Sequence, residues 1–179
     1  MKTAHYIVNP YTGDLQTLPE WKEYVESNSE WTKVTDALCI CIIPEDGTPF
    51  VFPKKDLGRM SWEDAMQAAS KAVIPLPKQF LEKFSTGLEL SLPTRKQGID
   101  IGDCNYALPK DEQPEIHLDD TLEAIGGQPF SGTYFWSSSR YNANTAWCFY
   151  GGNGAAYLSY FYSACRALPL VLCPGAKRP

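Results

Sequence analysis

Residues 134–171 read YFWSSSRYNANTAWCFYGGNGAAYLSYFYSACRALPLV. Residues 137–165 of that stretch contain no Asp, Glu, Lys, Gln, His, Met, Pro, Ile or Val, and their only charge is Arg140. Three readings compete: a β-sandwich core, a low-complexity tail and a binding face. Ile and Val, the usual strand-core residues, are missing here but dense in LCICII (38–43) and LPLVL (168–172). Trp136, Trp147 and the apolar closing segment would be wasted in a disordered tail. Tyr, Ser, Gly and Asn are the residues of antibody contact loops, where Tyr gives large amphipathic contact area at low entropic cost. The composition therefore favours a binding face.

The same stretch reads as short strands, TYFWSS, NTAWCFY, GAAYLSYFY and CRALPLVL, separated by Asn/Gly turns. GGNG at 151–154 is the strongest turn signal. Strand alternation sends Trp147 and Phe149 to one side and Cys148 and Tyr150 to the other. Trp147 and Phe149 are the better core pair, so Cys148 and Tyr150 are expected on the exposed side. Tyr157, Ser159, Tyr160, Tyr162 and Cys165 are further candidates for it.

Upstream, SWEDAMQAASKAV is the clearest helix. Ser61 is its candidate N-cap with Asp64 three residues on. Trp62, Ala65, Met66, Ala69 and Val73 trace an apolar stripe, and Pro75 and Pro77 end it. A weaker helix is expected at KQFLEKFS, and a short one entered through LPTR, residues 92–95. HLDDTLEAIGG forms a compact helix, with Asp119 or Asp120 at its positive end and Gly126–Gly127 at its C-cap. TDALCICIIPEDGTPFVFPKK reads as a β-hairpin with a long loop. Strands, then helices, then strands give an α+β class. Residues 1–33, a strand, a turn and a helix beginning at Pro19, are set apart as an N-terminal appendage to a domain at 34–179.

The chain has 179 residues and a net charge of -5. Lys54, Lys55, Arg59, Lys71, Lys78, Lys83, Arg95, Lys96 and Lys110 are scattered among carboxylates as a mixed, solvated surface, which argues against a nucleic-acid partner. No apolar run reaches the roughly 20 residues of a membrane span, and no signal peptide is visible. Six cysteines, Cys39, Cys41, Cys104, Cys148, Cys165 and Cys173, include no CxxC pair, and His5 and His117 are isolated. Neither a metal site nor a cofactor is expected. Cys39 and Cys41 share one face of a strand as core thiols. Reduced thiols are favoured, with a Cys148–Cys165 bridge left open.

The order SWEDAMQAASKA, LPTRKQ, LDDTLEAIGG, YFWSSSRYNANTAW and CRALPLV resembles C-type-lectin-like domains of the formylglycine-generating-enzyme type. It is most similar to the variable proteins that retroelements diversify in bacteria and phages. The resemblance covers about residues 34–172. It implies a domain with two main helices and a small antiparallel sheet, and a variable region at about 137–165. In that family template adenines are mutated, so Asn codons become Tyr, Ser, Gly, Cys, Thr or Ala but never Lys, Glu, Gln, Met or Trp. Trp147 is then scaffold. The implied ligand-binding residues are Asn142, Asn144, Thr145, Cys148, Tyr150, Gly152, Asn153, Tyr157, Ser159, Tyr160, Tyr162 and Cys165. The implied partner is an unknown protein or glycan, bound by a homo-oligomer on a phage virion or bacterial surface.

Other readings stand beside this one. A fixed-specificity adhesin or structural subunit would share the fold. An enzyme of the formylglycine-generating type would use a cysteine pair, and Cys148 and Cys165 offer one, but no acid–base partner is near in sequence. Calcium-dependent sugar binding is disfavoured, because the stretch has no Asp or Glu to ligate the ion. Asp119–Asp120 could hold a cation, although a helix N-terminus explains the pair better. Arg166 either touches ligand or pins the last strand by pairing with an acidic residue of the helices. Trp62 and Trp136 are expected in the core.

Overall fold

A computed structural model describes residues 1–28, 37–87 and 89–179. The expected order of elements is present. β1 (Ala4–Val8) and β2 (Leu15–Gln16) precede α1 (Leu18–Ser27). β3 (Cys39–Ile43) and β4 (Phe50–Pro53) form the hairpin, followed by β5 (Arg59–Met60) and α2 (Trp62–Lys71). Then come α3 (Lys78–Lys83), β6 (Leu90–Ser91), α4 (Arg95–Asp103) and α5 (Leu118–Ala124). The opening stretch supplies β7 (Tyr134–Arg140), β8 (Thr145–Tyr150), β9 (Ala156–Tyr160), β10 (Cys165–Arg166) and β11 (Leu170–Leu172).

The class is α+β, built from two sheets and not one small one. The first sheet runs β2-β1-β3-β4-β11-β6 and the second β5-β10-β7-β8-β9. Neither the single sheet nor the uniform antiparallel pairing holds, because β10 joins β7 in parallel, with Arg166 opposite Phe135. Nor do two helices dominate: five are present among the described residues, and α1 is as long as α2, ten residues each.

Local chemistry sets the helix starts. Thr17 and Glu20 form a reciprocal capping box at α1, and Thr94 and Gln97 another at α4. Each satisfies two backbone donors that a helix N-terminus leaves open. Ser61 accepts from the Asp64 amide at 3.3 Å, as expected for α2. That helix ends at Lys71, so Val73 falls beyond it and is exposed. Gly126 takes a φ of 80° just past α5, which a β-carbon would disfavour.

Three apolar layers follow from the two sheets. The main core lies between them. Ile7, Ile40, Ile42, Phe50 and Phe52 of the first sheet meet Phe135 and Phe149 of the second, with Leu18, Trp21, Ile101 and Leu118 from helices. The first sheet's other face buries Cys39, Cys41 and Val51 under Phe80 of α3. The second sheet's other face buries Trp136, Ala146, Cys148 and Cys165 under Ala65 and Ala69 of α2.

Residues set apart as an appendage belong to this frame: β1 pairs with β3 over five residues, and Ile7, Leu18 and Trp21 enter the main core. The expected boundary at 33/34 lies outside the described residues. Lys54, expected on the surface, is buried, and its Nζ donates to the Ile125 carbonyl at 3.0 Å. Arg166 pins β10 as one reading anticipated, but its partner is Asp56 in the loop after β4 and not a helix residue (2.9 and 3.1 Å).

Candidate functional site

Tyr134, Trp136, Cys148, Tyr150, Tyr157 and Ser159 share one face of the second sheet, because Tyr134 pairs with Tyr150, Trp136 with Cys148, and Cys148 with Tyr157. α2 covers the Trp136 end of this face. Beyond it the Tyr134 ring lies 5.4 Å from Tyr150 and 5.5 Å from Tyr157. The Tyr150 hydroxyl accepts the Gly132 amide at 2.8 Å, which holds that ring in place. A cavity of about 260 Å³ opens here, lined by Arg59, Tyr134, Cys148, Tyr157, Ser159, Ala164 and Cys165. It is smaller than a typical small-molecule pocket and suits one side chain or one small group of a larger ligand.

α5 holds the approach to this face. Asp119, at the helix start, is buried and accepts from the amides of Phe130 (2.7 Å) and Ser131 (3.2 Å) and from Asn105 Nδ2 (3.1 Å). Asn105 Nδ2 also donates to the Gly151 carbonyl at 3.2 Å. One carboxylate, with Asn105, thus ties the loop leading into β7 to the β8–β9 turn. Asp119 is fully engaged with these donors, and no cluster of metal-ligating residues occurs among the described residues.

The opposite face of the edge strand presents a second set. Leu158 pairs with Trp147 and Tyr160 with Thr145. Tyr160 stacks on Tyr162, their centroids 5.3 Å apart and their planes within 5°. Trp147 is only half-buried here, contrary to the expected core position. The Arg95 guanidinium, at the start of α4, sits 3.9 Å from its ring, and Tyr141 meets it edge-on. Beside it Phe149 is fully buried: a β-carbon on Gly98 of α4 would come within 2.8 Å of that ring.

The twelve residues singled out by sequence therefore do not form one surface. Tyr157, Tyr160 and Tyr162 are exposed, Tyr162 the most at 79 %. Asn142, Asn144 and Asn153 are exposed at turns at opposite ends of β8. Asn142 Oδ1 accepts from the amides of Asn144 and Thr145, and Asn153 Oδ1 from that of Ala155, so both side chains shape their own turns. Gly152 is buried, its carbonyl taken by the Tyr106 amide. Cys148 and Cys165, expected on the exposed side, are only 2 % and 7 % exposed, because they form the cavity floor beneath Tyr157 and Tyr134. Tyr134, Tyr141 and Leu158 join the exposed set unannounced, and Arg59, expected on the solvated surface, lines the cavity. Tyr134 was within reach of the alternation argument, since it lies two residues before Trp136 on the same face.

Both floor cysteines are free thiols. The hydrogen bond from Cys165 holds the Cys148 thiol below its ordinary value, against its burial and with help from Ser159, whose Oγ is 3.5 Å away. Cys165, as the donor and a buried group, is pushed well up. Elsewhere burial pushes Cys39 and Cys173 up to about 12 and also raises Cys41 well above its ordinary value. Of the six thiols, Cys148 is the one whose pKa is lowered, and it lies in the lining of this cavity.

No protein-family model matches this chain, and no curated protein matches it in sequence. No helix among the described residues is long and apolar enough to cross a membrane.

Proposed function

We propose that the chain is a ligand-binding protein that presents tyrosines of its second sheet to a protein or glycan. We further propose that it is a variable protein of a diversity-generating retroelement, with a C-type-lectin-like fold. The observation that carries the reading is the cluster of Tyr134, Tyr150 and Tyr157. Tyr134 and Tyr157 line a cavity in which Arg59 is the one charged lining residue, and Tyr150 packs against Tyr134 beside it. Pre-ordered aromatic rings lose little entropy on binding, so they act as anchors. The burial of Phe149 and Trp136 beside the exposed tyrosines fits a fixed frame carrying changeable positions.

The neighbouring DNA tests the retroelement assignment. A near-copy of the codons for residues 137–171, differing mainly at adenines and lying beside a reverse-transcriptase gene, is expected. Its absence would leave a fixed-specificity adhesin or structural subunit. Binding itself is tested on protein and glycan arrays. A captured ligand should be lost by Tyr157→Ala and Tyr134→Ala and kept by Lys71→Ala.

One observation favours a second reading, an enzyme of the formylglycine-generating type: Cys148 and Cys165, both free thiols, line one cavity together. Incubation with a cysteine-containing sulfatase peptide decides it. An unchanged peptide mass would remove the enzyme reading for that substrate.

A further inference from the structure

The two sheets have four edges, and three are blunted. β2, β6 and β5 are two residues long. β2 leads directly into α1, β6 packs beside α2 and is followed by Pro93, and β5 carries Arg59. Short strands, prolines, charges and covering helices are the usual means of preventing edge pairing. β9 uses none of them. Ala156–Tyr160 is five residues long, without charge or proline, and its register with β8 is unbroken over five pairs. Among the described residues no strand lies beyond it.

Its free hydrogen-bonding groups follow from the ladder. The Tyr150 amide donates to the Ala155 carbonyl and the Phe161 amide to the Asn144 carbonyl. Antiparallel alternation then turns residues 155, 157, 159 and 161 toward β8 and directs the backbone groups of Ala156, Leu158 and Tyr160 outward. One of these outward carbonyls, that of Tyr160, also accepts the Ser163 amide.

We propose that this edge is the contact between two copies of the chain, β9 pairing antiparallel with β9 about a two-fold axis at Leu158. In that register every outward amide and carbonyl of the strand meets a counterpart. Leu158 faces the partner's Leu158, Tyr160 the partner's Ala156 and Tyr157 the partner's Ser159. Tyr160 and Tyr157 thus each oppose a small residue, Leu158 meets its own copy, and every pair is reciprocal, as an isologous contact requires. Two chains of charge -5 meet through a strand that carries no charge, so no like charges are set opposite one another. Among the described residues each chain has a single long edge, so the pairing closes at two. A continuous ten-stranded sheet results, carrying two copies of the tyrosine cluster and favouring multivalent capture. The proposal does not depend on the ligand-binding reading.

Sedimentation of the full chain tests it. A ladder this short buries less than the ~1,200 Å² of standard complexes, so the titration should run from about 1 to about 200 µM. A reversible monomer–dimer equilibrium is expected, with no larger species. Leu158→Lys is expected to weaken the dimer at least tenfold, by about 1.4 kcal/mol. Leu158 is exposed and its amide does not serve β8, so the fold should survive, which circular dichroism checks. Amide exchange gives a readout on the unmodified protein: protection at Leu158 should rise with concentration. A wild-type monomer throughout the range, a dimer indifferent to Leu158→Lys, or open-ended polymer would each overturn the proposal. So would a monomer that adds a foreign peptide strand at β9.

Discussion

β3 and β9 are both five-residue strands, and every side chain of the first is buried while none of the second is. β3, CICII, lies inside its sheet with the main core on one face and the α3 layer on the other. It therefore reads as a continuous apolar run, as strands covered on both sides do. β9, AYLSY, is at the end of its sheet, with both faces and one edge open. The contrast teaches where this molecule tolerates change. The first sheet is a packed plate, and the second is packed toward its centre and presented to solvent at its rim. The restricted alphabet spans both zones of the second sheet, so composition alone does not separate frame from surface. Depth in the sheet does.

The comparison breaks most readily at Phe149. If the second sheet is frame at its centre, Phe149→Ala should cost about 3–5 kcal/mol, as much as a first-sheet truncation such as Phe52→Ala. Urea unfolding measures both, and a cost below about 1 kcal/mol for Phe149→Ala would make the whole stretch surface.

Acid should act next, and through the first sheet. His5 of β1 has its pKa lowered to about 4, chiefly by burial, with Asp120 opposing and His117 adding to the shift. Its Nε2 lies 2.8 Å from Thr121 Oγ1. The unfolded chain takes up this proton first, with its ordinary pKa of 6.5. Stability is therefore full above pH 6.5 and is lost as pH falls toward 4, by on the order of 2–3 kcal/mol. His5→Gln should flatten that limb of the stability profile. The second sheet from 137 to 165 carries no carboxylate or imidazole to produce one.

The thiols sharpen the contrast in rate. Alkylation of folded protein through the cavity should modify Cys148 with a midpoint below that of an ordinary thiol and leave Cys39 and Cys41 of the first sheet untouched. Cys165→Ala should move the midpoint upward, and peptide mapping of the alkylated sites reads both results. An unmoved midpoint would show that Cys165 does not hold the thiol down.

The smallest effect belongs to the rim. Tyr160→Ala and Tyr162→Ala should each change stability by less than about 0.5 kcal/mol, as exposed substitutions do. A larger loss in thermal unfolding would mean that the stacked pair supports the fold.

Much of this was legible in the residues. Ser61 before an apolar stripe marked α2, the apolar runs around PEDGTP marked the β3–β4 hairpin, and GGNG marked the β8–β9 turn. The capping boxes of Thr17 with Glu20 and Thr94 with Gln97 were equally open to reading, because their chemistry is local. Trp147 was not. Alternation placed it correctly on the side of Phe149, but its depth depends on where α4 begins over the sheet, and there Arg95 covers it in place of core. Cys148 failed in the opposite direction: it lies on the side away from the main core, yet α2, Tyr134 and Tyr157 close over it.

The sequence by itself determined the α+β class, the order of elements and the presence of an uncharged tyrosine-rich segment, since periodicity, caps and turns act between neighbours in the chain. Only the tertiary structure decided that β1 joins β3, that the tyrosines divide between two faces, that two distant cysteines share a cavity floor and that β9 is a free edge. Those outcomes depend on which strands pair and where each sheet stops, and such long-range choices are made by packing whole faces together.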